Sequence, residues 1–295
     1  MNEEIKIAVV GDVHNQWEFE DHLALKFLAV DLVLFVGDFG NENRELISKI
    51  ATLDIPKAAV MGNHDAWYTA TDWGRKKSPY KHSEEDWVQD QLDLLGSAHV
   101  GYSKLDLFHI KLSVVGGRPF SWGGPKLVTE KFLAERYGIN NFQESCDRIV
   151  AEASQTTHEH LIFLGHNGPS GLGDQAEDTA GRDWNPLGGD FGDPDFAEAI
   201  AKVRQAGKKI PLVTFGHMHH NLRHRKDVLR TRVKVSVDGT VYLNAASVPR
   251  IKEMDGIKCR NFSLVTLKNF QVTEITLVWI KPDFELFSCE ILYAR

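Results

Sequence analysis

The chain is poor in cysteine: three in 295 residues, Cys146, Cys259 and Cys289, odd in number and far apart. That argues against a disulfide framework and suits a reducing compartment. No CxxC pair exists, so no structural zinc site is expected. Nor does any apolar run approach the roughly 20 residues needed to span a bilayer. The opening MNEEIKIAVVGD is acidic and enters a β-branched run at once, unlike a signal or transit peptide. A soluble, cytoplasmic protein without membrane association is the expectation. Positive charge is in deficit too. Lys+Arg number 34 against 41 Asp+Glu, and the net charge of −7 offers long nucleic acid no general attraction. An anionic substrate must therefore be drawn in locally, by something such as bound metal.

What is present is a rhythm. Ile5–Val10, Asp31–Val36 and Lys57–Met61 are short apolar strands, each stopping at a glycine. Helices are expected between them at Trp17–Val30, where Phe19, Leu23 and Phe27 recur every four residues, and at Arg44–Leu53. Strand–helix alternation of this kind argues for parallel βαβ units. The middle holds a charged helix around Ser83–Leu95, one or two strands in Leu105–Val115, helices at Lys126–Tyr137 and Gln143–Thr156, and a strand at His160–Leu164. Residues 167–194 are rich in Gly, Asp and Pro without a period, the mark of a long functional loop. A helix at Asp195–Ala206 and a strand at Ile210–Phe215 follow. The last third is β-rich. Arg232–Val237 and Thr240–Leu243 flank an Asp238-Gly239 turn as a hairpin, and Phe262–Leu267, Val272–Ile280 and Phe284–Leu292 add strands. Early parallel and late antiparallel strands suggest an α/β fold of two mixed sheets flanked by helices. No linker divides it, so residues 1–295 read as a single domain.

Five segments share one layout: an apolar strand, a glycine, then side chains of metal-ligand type. They are VVGDVHN (Asp12, His14), FVGDFGN (Asp38), VMGNHD (Asn63, His64, Asp65), FLGHNG (His166) and TFGHMHH (His217, His219). Sites in open α/β sheets gather at the carboxyl ends of strands, so five such ends on one edge would bring these groups together. Imidazole with carboxylate and amide oxygen suits divalent transition metals. Each residue alone has a plainer reading. An Asp after a strand is usually a turn former or cap, and a lone His is usually a satisfied core residue. His217 and His219, two apart, share a strand face, which favours joint ligation; His220 points elsewhere.

The ordered set resembles the signature blocks of the calcineurin-like metallophosphoesterase superfamily: DxH, GD, GNH[DE], GH and GHxH. The resemblance covers residues 12–219 and implies a four-layer α/β/β/α sandwich holding two divalent metals, Mn, Fe or Zn. It further implies that Asp12, His14 and His219 hold one ion, that Asn63, His166 and His217 hold the other, and that Asp38 bridges them. His64, oriented by Asp65, would act as general acid or transition-state stabiliser, and a metal-bridging water or hydroxide would attack phosphorus. Protein Ser/Thr phosphatases carry GDxVDRG and GNHE. Here Glu42 takes the place of their phosphate-binding Arg and the third block ends in Asp65, which favours esters of small molecules or nucleotides. NAAS (Asn244–Ser247) replaces the Asn-Pro-Gly-Ser turn of many members, and the wording NAASVPR is similar to a branch found in cyanobacteria and plastids.

Around that set, Asn15, Arg118, Arg182, Trp184 and Arg250 are candidates to line a substrate pocket, since Arg suits bidentate phosphate contact. The segment at about 66–159 is read as an insertion that caps the site. The expected partner is a small phosphorylated substrate. The alternatives are a protein Ser/Thr phosphatase, a nuclease, which the acidic charge disfavours, and a non-catalytic metal-binding scaffold of the same fold.

Overall fold

The structure, a computed structural model, describes residues 4–295. In chain order the first third gives β1 (Glu4–Val10), α1 (Phe19–Phe27), β2 (Leu32–Phe35), α2 (Arg44–Ala51) and β3 (Lys57–Ala59). The middle gives α3 (Asp72–Arg75), α4 (Trp87–Leu95), β4 (Lys104–Leu107), β5 (Leu112–Gly116), α5 (Glu130–Tyr137), α6 (Phe142–Ser154) and β6 (His160–Leu164). Then follow α7 (Pro194–Gln205), β7 (Lys209–Phe215), β8 (Val233–Val235), β9 (Val241–Asn244), β10 (Ile251–Met254), β11 (Ile257–Lys268), β12 (Gln271–Ile280) and β13 (Leu286–Ala294). No helix among the described residues is long and apolar enough to cross a membrane.

The early parallel strands and the late antiparallel strands do not form separate sheets. One sheet runs β13-β12-β11-β1-β2-β3, with β10 also paired to β11; β1 pairs β2 in parallel and β11 antiparallel. The second, β4-β5-β6-β7-β9-β8, is built from strands between Lys104 and Asn244. Much of the stretch expected to cap the site is therefore framework: β4 and β5 extend the second sheet, and α6 packs on α7 and β5.

The layering follows from the strand period of two. Along β1, Ile5, Ile7 and Val9 join Leu32, Leu34, Ile162, Leu164 and Leu212 in a core between the sheets. Ala8 and Val10 face the other way, into a core shared with residues of α1, α2, α6 and α7. Both faces are buried, which explains the unbroken apolar runs. The expected hairpin is present, with Val233 opposite Leu243 and Val235 opposite Val241.

The repeat of Phe19, Leu23 and Phe27 marks a helix but not its buried face. Phe19 and Phe27 are 69% and 63% exposed, whereas Asp21, His22, Ala24 and Leu25 are buried. An ion-pair anchor decides it: Arg250 Nη2 reaches Asp21 Oδ1 at 2.7 Å, and Arg260 Nη1 lies 3.3 Å from Asp21 Oδ2. Arg250 also donates to the Gln16 carbonyl at 2.6 Å. This corrects the expectation that Arg250 lines a substrate pocket. Its guanidinium is buried and spent on holding α1 and its lead-in to the C-terminal segment.

Candidate metal centre

The carboxyl ends of β1, β2, β3, β6 and β7 lie along one edge, and the five glycine-led turns bring their side chains together there. Two glycines are required by close approach. A Cβ on Gly62 would sit 2.2 Å from Asp38 Oδ1 and 2.6 Å from His166 Cε1, and one on Gly216 would sit 2.2 Å from Asp12 Oδ1. The turns are also held in the left-handed region at non-glycine residues: His14 (φ 43°), Asp38 (φ 49°) and His217 (φ 64°). Such conformations cost free energy and persist only where surrounding structure enforces them. Backbone bonds do so here. His14 N donates to Asp38 O at 2.7 Å, His64 N to Asp38 Oδ1 at 2.9 Å and His217 N to Asp12 Oδ1 at 3.0 Å.

Lone pairs converge within this frame. His166 Nδ1 is 2.7 Å from the Val36 carbonyl, which can only accept, so Nδ1 carries the proton and Nε2 is left bare. That bare nitrogen faces Asn63 Oδ1 and His217 Nδ1, each at 3.1 Å. Burial pushes His217 down to about 3, so it stays a neutral imidazole. On the other side, His14 Nε2 and His219 Nε2 stand 3.2 Å apart, and His219 Nε2 is 3.2 Å from Asp12 Oδ2. Asp12 Oδ2 is buried and has no hydrogen-bond partner. Burial alone would raise Asp12, but the His219, His166 and His14 imidazoles hold it below the usual carboxylate range. The buried Asp12 Oδ2 and the buried His166 Nε2 are costly to leave without a positive charge beside them, whether a proton or a metal ion. The donor set thus fits divalent transition metal. Asp12, His14 and His219 form one candidate group, and Asp38, His166 and His217 another, with ligand atoms within 4.8 Å of one another.

His64 and Asp65 divide their tasks differently from expectation. Asp65 does not touch the His64 ring. It is buried, and its carboxylate accepts from Phe39 N at 2.8 Å, Gly40 N at 3.3 Å and Gly62 N at 2.7 Å, clamping two ligand-bearing turns. The ring is held by Asn41, whose Oδ1 lies 2.7 Å from His64 Nδ1, and by Trp67, stacked at 4.6 Å and 10°. Sequence reasoning passed over Asn41; its place among the polar residues after Gly37-Asp38 was the available signal. If Asn41 sets this ring, Asn41→Ala should cost roughly tenfold or more in turnover while metal content stays unchanged. Steady-state rates beside elemental analysis check it. An unchanged rate would mean Trp67 alone suffices.

The other pocket candidates separate. Arg118 is buried 2.8 Å from both Asp193 and Asp195, and so braces the start of α7 rather than lining the pocket. The deletion of one partner in such a buried pair typically costs about 3–5 kcal/mol. Arg182 donates to the Gly188 carbonyl at 2.9 Å within the 167–194 loop, and Asn15 accepts from Asn43 at 2.8 Å at an exposed position; neither lines the metal-site cavity. Trp184 does line it, with Trp67, Trp122, Asp183, Arg223 and Arg230, most of which sequence reasoning missed. Arg230 is buried and donates to the carbonyls of His219, Ala176, Asp178 and Gly181, pinning the long loop to the metal site. Asn244 of the NAAS segment likewise holds the Met218 and Thr179 carbonyls. Glu42 is buried, accepting from Tyr68 N and the Tyr80 hydroxyl, and does not line the metal-site cavity.

Comparison with known proteins agrees with this geometry. A family model described as calcineurin-like phosphoesterase matches residues 5–221. Among solved structures, a dimetal phosphatase from Danio rerio is 10% identical over 99% of each chain, with a TM-score of 0.49. A protein of Thermus thermophilus is 11% identical over 99% of this chain and 100% of its own, with a TM-score of 0.47. The NAD nucleotidase of Haemophilus influenzae is 11% identical over 95% of this chain and 50% of its own, with a TM-score of 0.44. Likenesses this distant carry no functional argument. No curated protein matches significantly. The family match does carry weight, because it takes in most of the chain and all five strand-end motifs. The chain belongs to the calcineurin-like phosphoesterase family and is a metal-dependent phosphoric ester hydrolase.

Proposed function

We propose that the enzyme hydrolyses a phosphomonoester or phosphodiester of a small molecule or nucleotide at a site of two divalent cations, with Mn, Fe or Zn as the fitting ions. The observation that carries the dinuclear reading is Asp38. Its Oδ1 lies 3.4 Å from His166 Nε2, and its Oδ2 lies 3.9 Å from His14 Nε2, so each oxygen faces a different imidazole group. A carboxylate so placed supplies the shared anion that two close cations need. Asp12, His14 and His219 would hold one ion, and Asn63, His166 and His217 the other.

Divalent cations, when bound, would polarise phosphoryl oxygens and make water acidic enough to serve as nucleophile near neutral pH. Asp12 and Asp38 leave two such dications with about +2 in excess, which draws a phosphate in despite the net charge of −7. His64 would serve the leaving group. With Nδ1–H given to Asn41, Nε2 faces the departing oxygen and delivers a proton to it only when His64 is imidazolium, a form that its burial disfavours.

The test is hydrolysis of p-nitrophenyl phosphate and bis(p-nitrophenyl) phosphate by protein reloaded with Mn, Fe or Zn. Turnover of at least one ester, stopped by chelator and restored by metal, is expected. Inertness toward both with metals bound would support the non-catalytic scaffold instead.

A further inference from the structure

Beyond its ligand-type residues, the metal-site cavity, about 340 Å³, is walled by aromatic rings and one spare cation. His64, Trp67 and Trp122 form a run of near-parallel rings, with centroids 4.6 Å apart for the first pair and 5.7 Å for the second. Trp184, from the 167–194 loop, lines the same cavity and is set edge-on against Phe191 at 4.9 Å. Its chain neighbour Asp183 is anchored by two contacts. Arg230 Nη2 lies 3.3 Å from the neighbouring Asp183, and Asp183 accepts from Arg223 N at 2.8 Å. These rings are therefore preorganised, so a ligand stacking on them pays little ordering entropy. Arg223 is exposed at the cavity wall, its guanidinium 5.3 Å from the Trp184 ring centre. Among the described residues no hydrogen bond or ion pair engages that guanidinium.

A phosphate on a small polyol would give Trp122 and Trp184 no ring to stack on and leave Arg223 without an anion. A planar ring uses the first, and a second negative charge uses the other. Resting on the phosphoesterase reading above, we infer that the substrate is a nucleotide bearing a second phosphoryl group. Its cleaved phosphate faces the Asp38 centre, its base stacks on Trp122 or Trp184, and its other phosphoryl group meets Arg223. Trp67 is a positioning residue for His64; Trp122 and Trp184 read the ring.

The experiment compares kcat/KM of the metal-loaded enzyme for four monoesters. AMP against ribose 5-phosphate isolates the base, AMP against phenyl phosphate separates a nucleobase from any aryl ring, and adenosine 3′,5′-bisphosphate against AMP isolates the second charge. Base stacking on an aromatic side chain gives roughly tenfold or more, so AMP should exceed ribose 5-phosphate by that factor, mainly through KM. The bisphosphate should exceed AMP, and Arg223→Gln should remove that second advantage. Trp122→Leu or Trp184→Leu should collapse the ratio of AMP to ribose 5-phosphate, whatever happens to the absolute rates. Ribose 5-phosphate or phenyl phosphate matching AMP overturns the inference and leaves the phosphoesterase reading intact. A ratio unmoved in both Trp variants also overturns it. Inertness toward all four esters and both nitrophenyl esters, with metals bound, sinks both readings.

Discussion

Asp38→Asn should lower metal content from two ions per chain to one or fewer, and should cut hydrolysis by on the order of 10³-fold, because several kcal/mol of charge stabilisation depend on bound metal. The amide keeps one oxygen but turns the other ligand atom into an N–H donor and removes a unit of negative charge. Either face of the Asp38 carboxylate then loses its ligand, toward His14 or toward His166. His14→Ala should be milder, losing one ion and leaving the other, because His14 groups with Asp12 and His219 and takes no part in the Asp38–His166–His217 group. Folding should survive the Asp38 change. The residue sits at φ 49°, a region Asn tolerates as well as Asp, and an amide oxygen can still accept the His64 N–H. Elemental analysis of the two variants beside wild type decides the matter. Equal stoichiometry in Asp38→Asn and wild type would contradict the shared-anion role.

His64→Ala should leave both metals in place and cost 10²–10⁴-fold in turnover of an alkyl phosphate, the usual loss on removing a positioned acid. An activated aryl ester should suffer less, since its leaving oxygen needs little protonation. That split is what distinguishes a proton donor from a structural residue. The competing idea is ligation: His64 lies with its ring centre 5.1 Å from that of His14, and ligand atoms of His14, Asp38 and His64 lie within 4.8 Å of one another. Both roles use the same nitrogen. Nδ1 is engaged by Asn41 and the ring plane by Trp67, an arrangement that presents Nε2 at a fixed angle. Loss of a metal in His64→Ala would make His64 a ligand. Full activity on both ester types would make it structural.

The metal-ligand motifs were legible because their signal is local. A buried parallel strand must be apolar, a sharp exit at its end calls for glycine, and the residue after that glycine has only the site edge to occupy. What failed was non-local. Arg118 and Arg250 follow strand-like segments and invite a phosphate, but their carboxylate partners, Asp193 with Asp195 and Asp21, lie 75 or more residues away in sequence. No spacing rule reaches that far. The same pairing turned α1: a four-residue repeat of Phe19, Leu23 and Phe27 marks one apolar stripe, yet the tie from Asp21 to Arg250 selects another face for burial. Asp65 was misread for a subtler reason. It is adjacent to His64, but in a tight helical turn adjacent side chains do not face each other, so Asp65 meets the backbone N–H groups of Phe39, Gly40 and Gly62, and Asn41 from another turn meets the imidazole. The cavity wall of Trp67, Trp122 and Arg223 was hidden because each comes from a segment without a period.

The central claim is that two cations share Asp38. Anomalous diffraction from crystals of the metal-loaded enzyme, recorded across the absorption edge of the loaded ion, tests it most directly. Two peaks per chain are expected, about 3.5–4 Å apart. One should lie among Asp12, His14 and His219, the other among Asn63, His166 and His217, with the Asp38 carboxylate between them. A single peak at full loading, or two peaks neither of which borders Asp38, would contradict it.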